Sequence, residues 1–225
     1  MIEVDAETIV ANYPTLYHMA EAGSWESIAR HGLLSTRALL DLFEIDDPVR
    51  GEILRMRRPS SVRIQHEAHG SAVVRDQIPL SQTRLSKCLT DMTFEQWLNV
   101  LNSRVFFWLT EGHLETLLGA RAYRRLAHDV IVIDTQALLA RYATSVTLSP
   151  INSGATMYNP PARGTTTFVP IAEYPFEERR KARGRKNAII ELAVEKGVPD
   201  IRDVALNVER RRVGEPSTIL WERPR

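Results

Sequence analysis

A single cysteine, Cys88, rules out an intrachain disulfide framework and any zinc or iron–sulfur site built from several cysteines, and it fits a reducing cytoplasm. No apolar run approaches the roughly 18 residues that a bilayer span requires. The N-terminus, MIEVDAETIV, opens acidic, without the basic segment and apolar core of a secretory signal, so neither a membrane span nor a signal is expected. An excess of charge of either sign is missing too. The 29 Lys and Arg against 28 Asp and Glu leave a net charge of +1, and any affinity for nucleic acid must come from local patches. The motifs G-x-G-x-x-G, G-x-x-x-x-G-K-[ST] and G-x-S-x-G are absent, which removes the best-known dinucleotide, nucleoside-triphosphate and serine-hydrolase signatures.

The 225 residues, 44% hydrophobic and 25% charged, suit one domain spanning 1–225 that folds alone. Leu16 to Ala20 is a short apolar strand. Ser24 is expected to cap a helix from Trp25 to His31 with Gly32 after it, Ser35 or Thr36 to cap the next, and Asp47-Pro48 to open a third through about Arg58. Residues 59–90 show no dominant period and are expected to be loop-rich, with short elements. Thr93 and Gln96 form a capping box, Arg104 to Leu109 a buried strand, 112–127 an amphipathic helix, and Val130 to Asp134 a second buried strand whose Asp134 caps TQALLARY. Strands are further predicted at 144–149, 166–171, 188–194, 204–211 and 218–221, with a loop over 151–164 and a basic helix from Phe176 toward Gly184. Helices crowd the first half and strands the second, which predicts an α+β fold with a mixed or antiparallel sheet.

Two residues stand out chemically. Glu191 lies between Ile189-Ile190 and Leu192-Ala193-Val194, where burial is costly unless the carboxylate has a partner or a task. On a strand it points away from Ile190 and Leu192, toward water, an arginine or a cleft. His18 lies in LYHMA, where a lone histidine is either a hydrogen-bonded core residue or a functional one. His66 and His69 are three apart, off the i, i+4 spacing of the zinc-protease motif and without an obvious third ligand, so no metal is expected. Basic stretches run through Arg50, Arg55, Arg57, Arg58 and Arg63, and from Arg179 to Lys186. Each is either a solvated helix face or a phosphate-binding patch.

The pairing of an early strand histidine with a late strand glutamate carries a resemblance. Tyr17-His18-Met19-Ala20 followed by SWESIARHG and Gly32-Leu33-Leu34-Ser35 resembles the opening of DarT-type ADP-ribosyltransferases. Arg104-Val105-Phe106-Phe107-Trp108-Leu109 is similar to that family's central aromatic strand. Asn187 to Val194, followed by Val198-Pro199-Asp200-Ile201, resembles its catalytic-glutamate strand and the turn after it. The resemblance runs from about residue 13 to 201. It implies an ADP-ribosyltransferase-like fold with a split sheet and N-terminal helices around an NAD cleft. It also implies that Glu191 and His18 are catalytic, that His18, Met19, Ala20, Phe107 and Arg75 contact NAD, and that no metal is needed. Phe107 or Trp108 would stack near the nicotinamide or pack beneath it, and Arg84 is a second candidate for the family's arginine. NAD would be the substrate, with DNA or RNA approaching through 50–63 and 179–186 as one acceptor class, and the resemblance carries with it a cytoplasmic toxin or defence role and an antitoxin partner. NAD hydrolysis, and a non-catalytic nucleic-acid- or protein-binding module, are the alternatives.

Overall fold

The computed structural model describes residues 5–224. In chain order its strands are β1 (Thr15–Glu21), β2 (Leu33–Leu34), β3 (Val62–His66), β4 (Gly70–Val74), β5 (Arg104–Trp108), β6 (His128–Asp134), β7 (Val146–Ser149), β8 (Val169–Pro170), β9 (Glu191–Glu195), β10 (Gly197–Val198), β11 (Ala205–Arg211) and β12 (Thr218–Glu222). The helices are α1 (Ala6–Asn12), α2 (Trp25–His31), α3 (Thr36–Leu42), α4 (Val49–Arg55), α5 (Gln82–Cys88), α6 (Phe94–Asn102), α7 (Glu111–Leu118), α8 (Thr135–Tyr142), α9 (Phe176–Arg183), α10 (Arg185–Ala188) and α11 (Ile201–Val204). Eight strands form one sheet in the order β12-β11-β6-β1-β5-β9-β7-β8, and each neighbouring pair is antiparallel. The fold is therefore α+β with an antiparallel sheet.

The sheet is nearly divided in its middle. β1 runs with β6 along its whole length, yet it meets β5 in register at Tyr17 opposite Trp108 alone. Beyond that pair the two central strands separate. A continuous apolar core, including Leu16, Phe107, Ile131, Leu192 and Val194, packs one side of the sheet. Elsewhere the apolar residues fall into three smaller clusters, around Phe43 and Ile64, around Met19 and Tyr123, and around Trp97 and Leu98.

Local chemistry explains several boundaries. The Thr93 hydroxyl accepts from Gln96 N at 3.2 Å while Thr93 N donates to Gln96 Oε1 at 2.7 Å, closing the expected capping box on α6. Ser35 caps α3 and Asp134 caps α8 through the backbone N–H three residues on. Ser24 does not cap α2 with its side chain. Asp129, fully buried on β6, takes that place, accepting from Gly23 N at 2.8 Å and Trp25 N at 3.2 Å and paired with Arg210 at 2.8 Å.

Other expectations change. The short elements within residues 59–90 are the β3–β4 hairpin and α5, whereas the helix expected over 112–127 ends at Leu118, where Gly119 caps it and turns follow to Leu126. The strand expected at 166–171 shrinks to the two-residue β8 between short 3-10 turns. The buried strand around Glu191 starts at Glu191 itself, because Arg185–Ala188 form α10.

Candidate functional site

A cavity of about 310 Å³ opens where β1 and β5 part and the apolar clusters fail to meet. His18, Met19 and Ala20 of β1, Arg75 after β4 and Glu191 of β9 all line it. The fold thus brings together five of the six residues that the resemblance implies to be catalytic or in contact with NAD, Phe107 being the exception.

Strand parity decides the aromatic positions. β5 alternates between half-exposed and buried side chains, with Val105 and Phe107 buried. Phe107 lies opposite Leu192, and both belong to the main core, whereas Trp108 lies opposite Glu191 and, with Phe106, lines the cavity. Phe107 is therefore not a cavity residue. It supports the site from behind, its ring edge-on to His18 at 5.8 Å.

The separation of the strands frees backbone groups, and two of the candidate side chains satisfy them. His18 Nδ1 lies 2.9 Å from Phe106 O. A carbonyl can only accept, so Nδ1 carries the proton and Nε2 is left as an acceptor. Burial pushes His18 down to about 4, opposed by the Phe106 carbonyl and aided by the charge of Arg75, so the imidazole is neutral at pH 7. Arg75 donates through Nη1 to Met19 O. Its guanidinium carbon sits 4.8 Å from the Tyr123 ring centre, and Tyr123 donates to Asp76 Oδ1 at 2.6 Å. Tyr123 and Asp76 brace the arginine, and nothing in their local sequence marks them for that task. Arg84, by contrast, is exposed on α5.

Glu191 is 4% exposed. Its Oε2 accepts from Ser153 N at 3.1 Å. Burial raises it to about 7, against the lowering pull of Ser153 and of the Arg163 guanidinium. Asn152, Ser153 and Gly154 also line the cavity, so the loop expected over 151–164 forms part of one wall. Arg163, deeper in the same loop, is 1% exposed and was hidden in the sequence by its turn-like setting, PPARG.

The basic stretches fare differently. In 50–63, Arg50 pairs with Asp41, Arg57 donates to the Leu80 and Ile78 carbonyls, and buried Arg58 donates to Asn102, Ile53 and Arg75. Much of that stretch holds α4 to its neighbours. In 179–186, Arg180 pairs with Glu177, while Lys181, Arg183, Arg185 and Lys186 stay exposed. His66 and His69 stack at 4.7 Å beside His31. Among the described residues no group of three or more His, Cys, Asp or Glu is placed to hold a metal ion, and no helix is long and apolar enough to cross a membrane.

The cavity is concave, mostly apolar and furnished with a few convergent polar groups, the general form of a small-molecule site. Its perturbed carboxylate and imidazole are of the kind that cluster where chemistry occurs. No curated protein matches the chain. Residues 14–205 match a family of unknown function (DUF7002), and since that span takes in β1, the aromatic β5 and Glu191, the chain belongs to this family.

Proposed function

We propose that the protein is an NAD-dependent ADP-ribosyltransferase with an ADP-ribosyltransferase-like arrangement of its split sheet, modifying a macromolecule in the cytoplasm. The observation that carries this reading is the shared cavity at the division of the sheet, lined by neutral His18 from β1 and the buried acid Glu191 from β9. Cleaving the bond between nicotinamide and ribose develops oxocarbenium character beside the ribose 2′-hydroxyl. An ionised Glu191 accepting a hydrogen bond from that hydroxyl strengthens its hold as the charge grows, which is differential binding of the transition state. His18 Nε2, the acceptor its tautomer leaves over, takes a ribose hydroxyl and orients the sugar. Arg75, fixed by Met19 O and Tyr123, offers its remaining N–H groups to the NAD phosphates, and Trp108 supplies a flat apolar surface next to Glu191. Nucleic acid is the acceptor class that the exposed cations on and after α9 favour, and a toxin or defence role with a neutralising partner accompanies that choice.

Incubation with labelled NAD and, separately, DNA, RNA or cell lysate tests the proposal. Label on a polymer marks transfer, free ADP-ribose marks hydrolysis, and neither product leaves a binding module. Turnover by Glu191→Gln should fall on the order of 100- to 1,000-fold, the loss expected for one electrostatic stabiliser. Unchanged turnover removes Glu191 from the reaction.

A further inference from the structure

Arg163 is a buried cation with an unusual set of partners. Its Nη1 donates to Ser153 O at 2.8 Å and makes a longer contact of 3.5 Å with Asn152 O, and its Nε donates to Pro161 O at 3.2 Å. Its Nη2 has no hydrogen-bond partner among the described residues. The guanidinium carbon lies 5.9 Å from the Trp97 ring centre. The backbone of Arg163 is pinned as well, donating to Cys88 O at 2.8 Å and accepting from Thr90 N at 3.0 Å. All of its side-chain acceptors are neutral carbonyls, so the fold keeps a formal charge inside without a carboxylate bonded to it, an arrangement that costs stability.

The carbonyls it holds belong to the two peptides that flank Ser153. One of these, the Asn152–Ser153 peptide, carries the N–H that donates to Glu191. The short bond to Ser153 O fixes the residue that carries this N–H, and the longer contact with Asn152 O sets positive charge at the oxygen end of the same peptide, which favours the donor at its nitrogen end. We infer that Arg163 is a positioning residue for Glu191, gripping the Asn152–Ser153 segment so that its N–H is presented to the carboxylate at the cavity wall. The inference deepens the proposed transferase reading and rests on it for the name of the reaction, not for the geometry.

The cavity has other ionisable groups in reach: His18 and Glu21 of β1, Arg58 after α4, Arg75 and Asp76 after β4, Arg104 of β5, and Tyr123. Among charged groups it is Arg163 whose field bears on Glu191, and it favours the ionised form. Removing that charge raises the pH at which Glu191 ionises, while a lysine keeps the charge and loses the fork of donors.

The test is a pH titration of the Glu191 carboxyl carbon by 13C NMR on the full chain, with the signal assigned through Glu191→Gln, in wild type, Arg163→Gln and Arg163→Lys. The midpoint is expected to rise by about one pH unit in Arg163→Gln and to stay closer to wild type in Arg163→Lys. Nicotinamide release from NAD at pH 7 should fall about fivefold in Arg163→Gln, recover at pH 9, and keep its KM for NAD, because the change acts on Glu191 rather than on NAD binding. An unmoved midpoint in a folded Arg163→Gln overturns the inference. So does unfolding of both variants, which would make Arg163 a purely structural residue. A shifted midpoint in a protein that releases no nicotinamide in wild-type form leaves the positioning role intact and overturns the NAD reading instead.

Discussion

At the scale of single residues, the site depends on which way neighbouring side chains point. Phe106, Phe107 and Trp108 are three aromatics in a row, and alternation sends the outer two to the cavity and the middle one to the core. Substitutions should separate their roles. Phe107→Ala leaves a hole among Leu192, Ile131 and His18's neighbours, and should lower unfolding free energy by about 3–5 kcal/mol in urea titrations. Trp108→Ala removes a half-exposed side chain, so it should cost much less stability while weakening NAD use. Equal stability losses at the two positions would mean that the parity assigned to β5 is wrong. The sequence shows the aromatic run and its strand character, but parity depends on the register with β9, which no residue of β5 encodes alone. Glu191 was more legible, because a carboxylate inside an apolar run announces a cost that something must offset. Its partner Ser153 was not, since the bond uses a backbone N–H that every non-proline residue has.

At the scale of elements, the segments that follow α2 and the glutamate strand touch. Gly32-Leu33-Leu34 follows α2, and Gly197-Val198-Pro199 follows the glutamate strand; β2 and β10 pair there, Leu33 with Val198 and Leu34 with Gly197. The contact ties the wall formed by α2 and β2 to the end of β9. Both glycines have positive φ, 88° at Gly32 and 126° at Gly197. A Cβ on Gly197 would lie 2.5 Å from Leu33 O, and one on Gly32 would lie 2.4 Å from the Pro199 Cα. Each close atom is backbone, so relief requires moving a strand. Gly197→Ala should therefore destabilise by at least about 2 kcal/mol, combining strain at positive φ with the steric conflict, and a thermal melt would detect it. A neutral result would show that the two segments are free to part. The elements that sequence reading missed share a physical cause. In β3, Val62 and Ile64 alternate with Arg63 and Gln65, but in β4 Val73 breaks the alternation between Ala72 and Val74, the strands are only five residues long, and their turn, Glu67 to His69, has no Asn-Gly or Asp-Gly signal. Sequence spacing overextends the helix that ends at Leu118, because Tyr123 packs with Leu114 and Leu118 from a turn and imitates a further helical position.

At the scale of the whole molecule, the site sets two buried groups with opposite proton preferences against each other. His18 falls from 6.5 to about 4 on folding, so between those values the unfolded chain holds more protons and stability rises with pH. Buried His128, also pushed down by burial, acts in the same direction. Glu191 rises from 4.5 to about 7, so there the folded chain holds more protons and stability falls as pH rises. Each fully titrating group contributes a slope of about 1.4 kcal/mol per pH unit, and from roughly pH 4.5 to 6.5 the slopes of His18 and Glu191 oppose each other. Removing one should expose the other. Relative to wild type, Glu191→Gln should gain stability progressively from about pH 4.5 to 7 and hold that gain above, even as turnover is lost, because the cost of an ionised buried carboxylate is gone. His18→Gln should gain relative to wild type at about pH 4 and lose that gain by about pH 6.5. Urea unfolding of the three proteins across pH 4–8 reads both difference curves directly. If the Glu191→Gln difference is flat with pH, the carboxylate ionises normally in the folded chain, and the cavity is wetter than its apolar lining implies. If it rises while the His18→Gln difference falls, the two groups occupy one dry site in which an acceptor imidazole and an acid that ionises near neutrality are both maintained at the expense of stability.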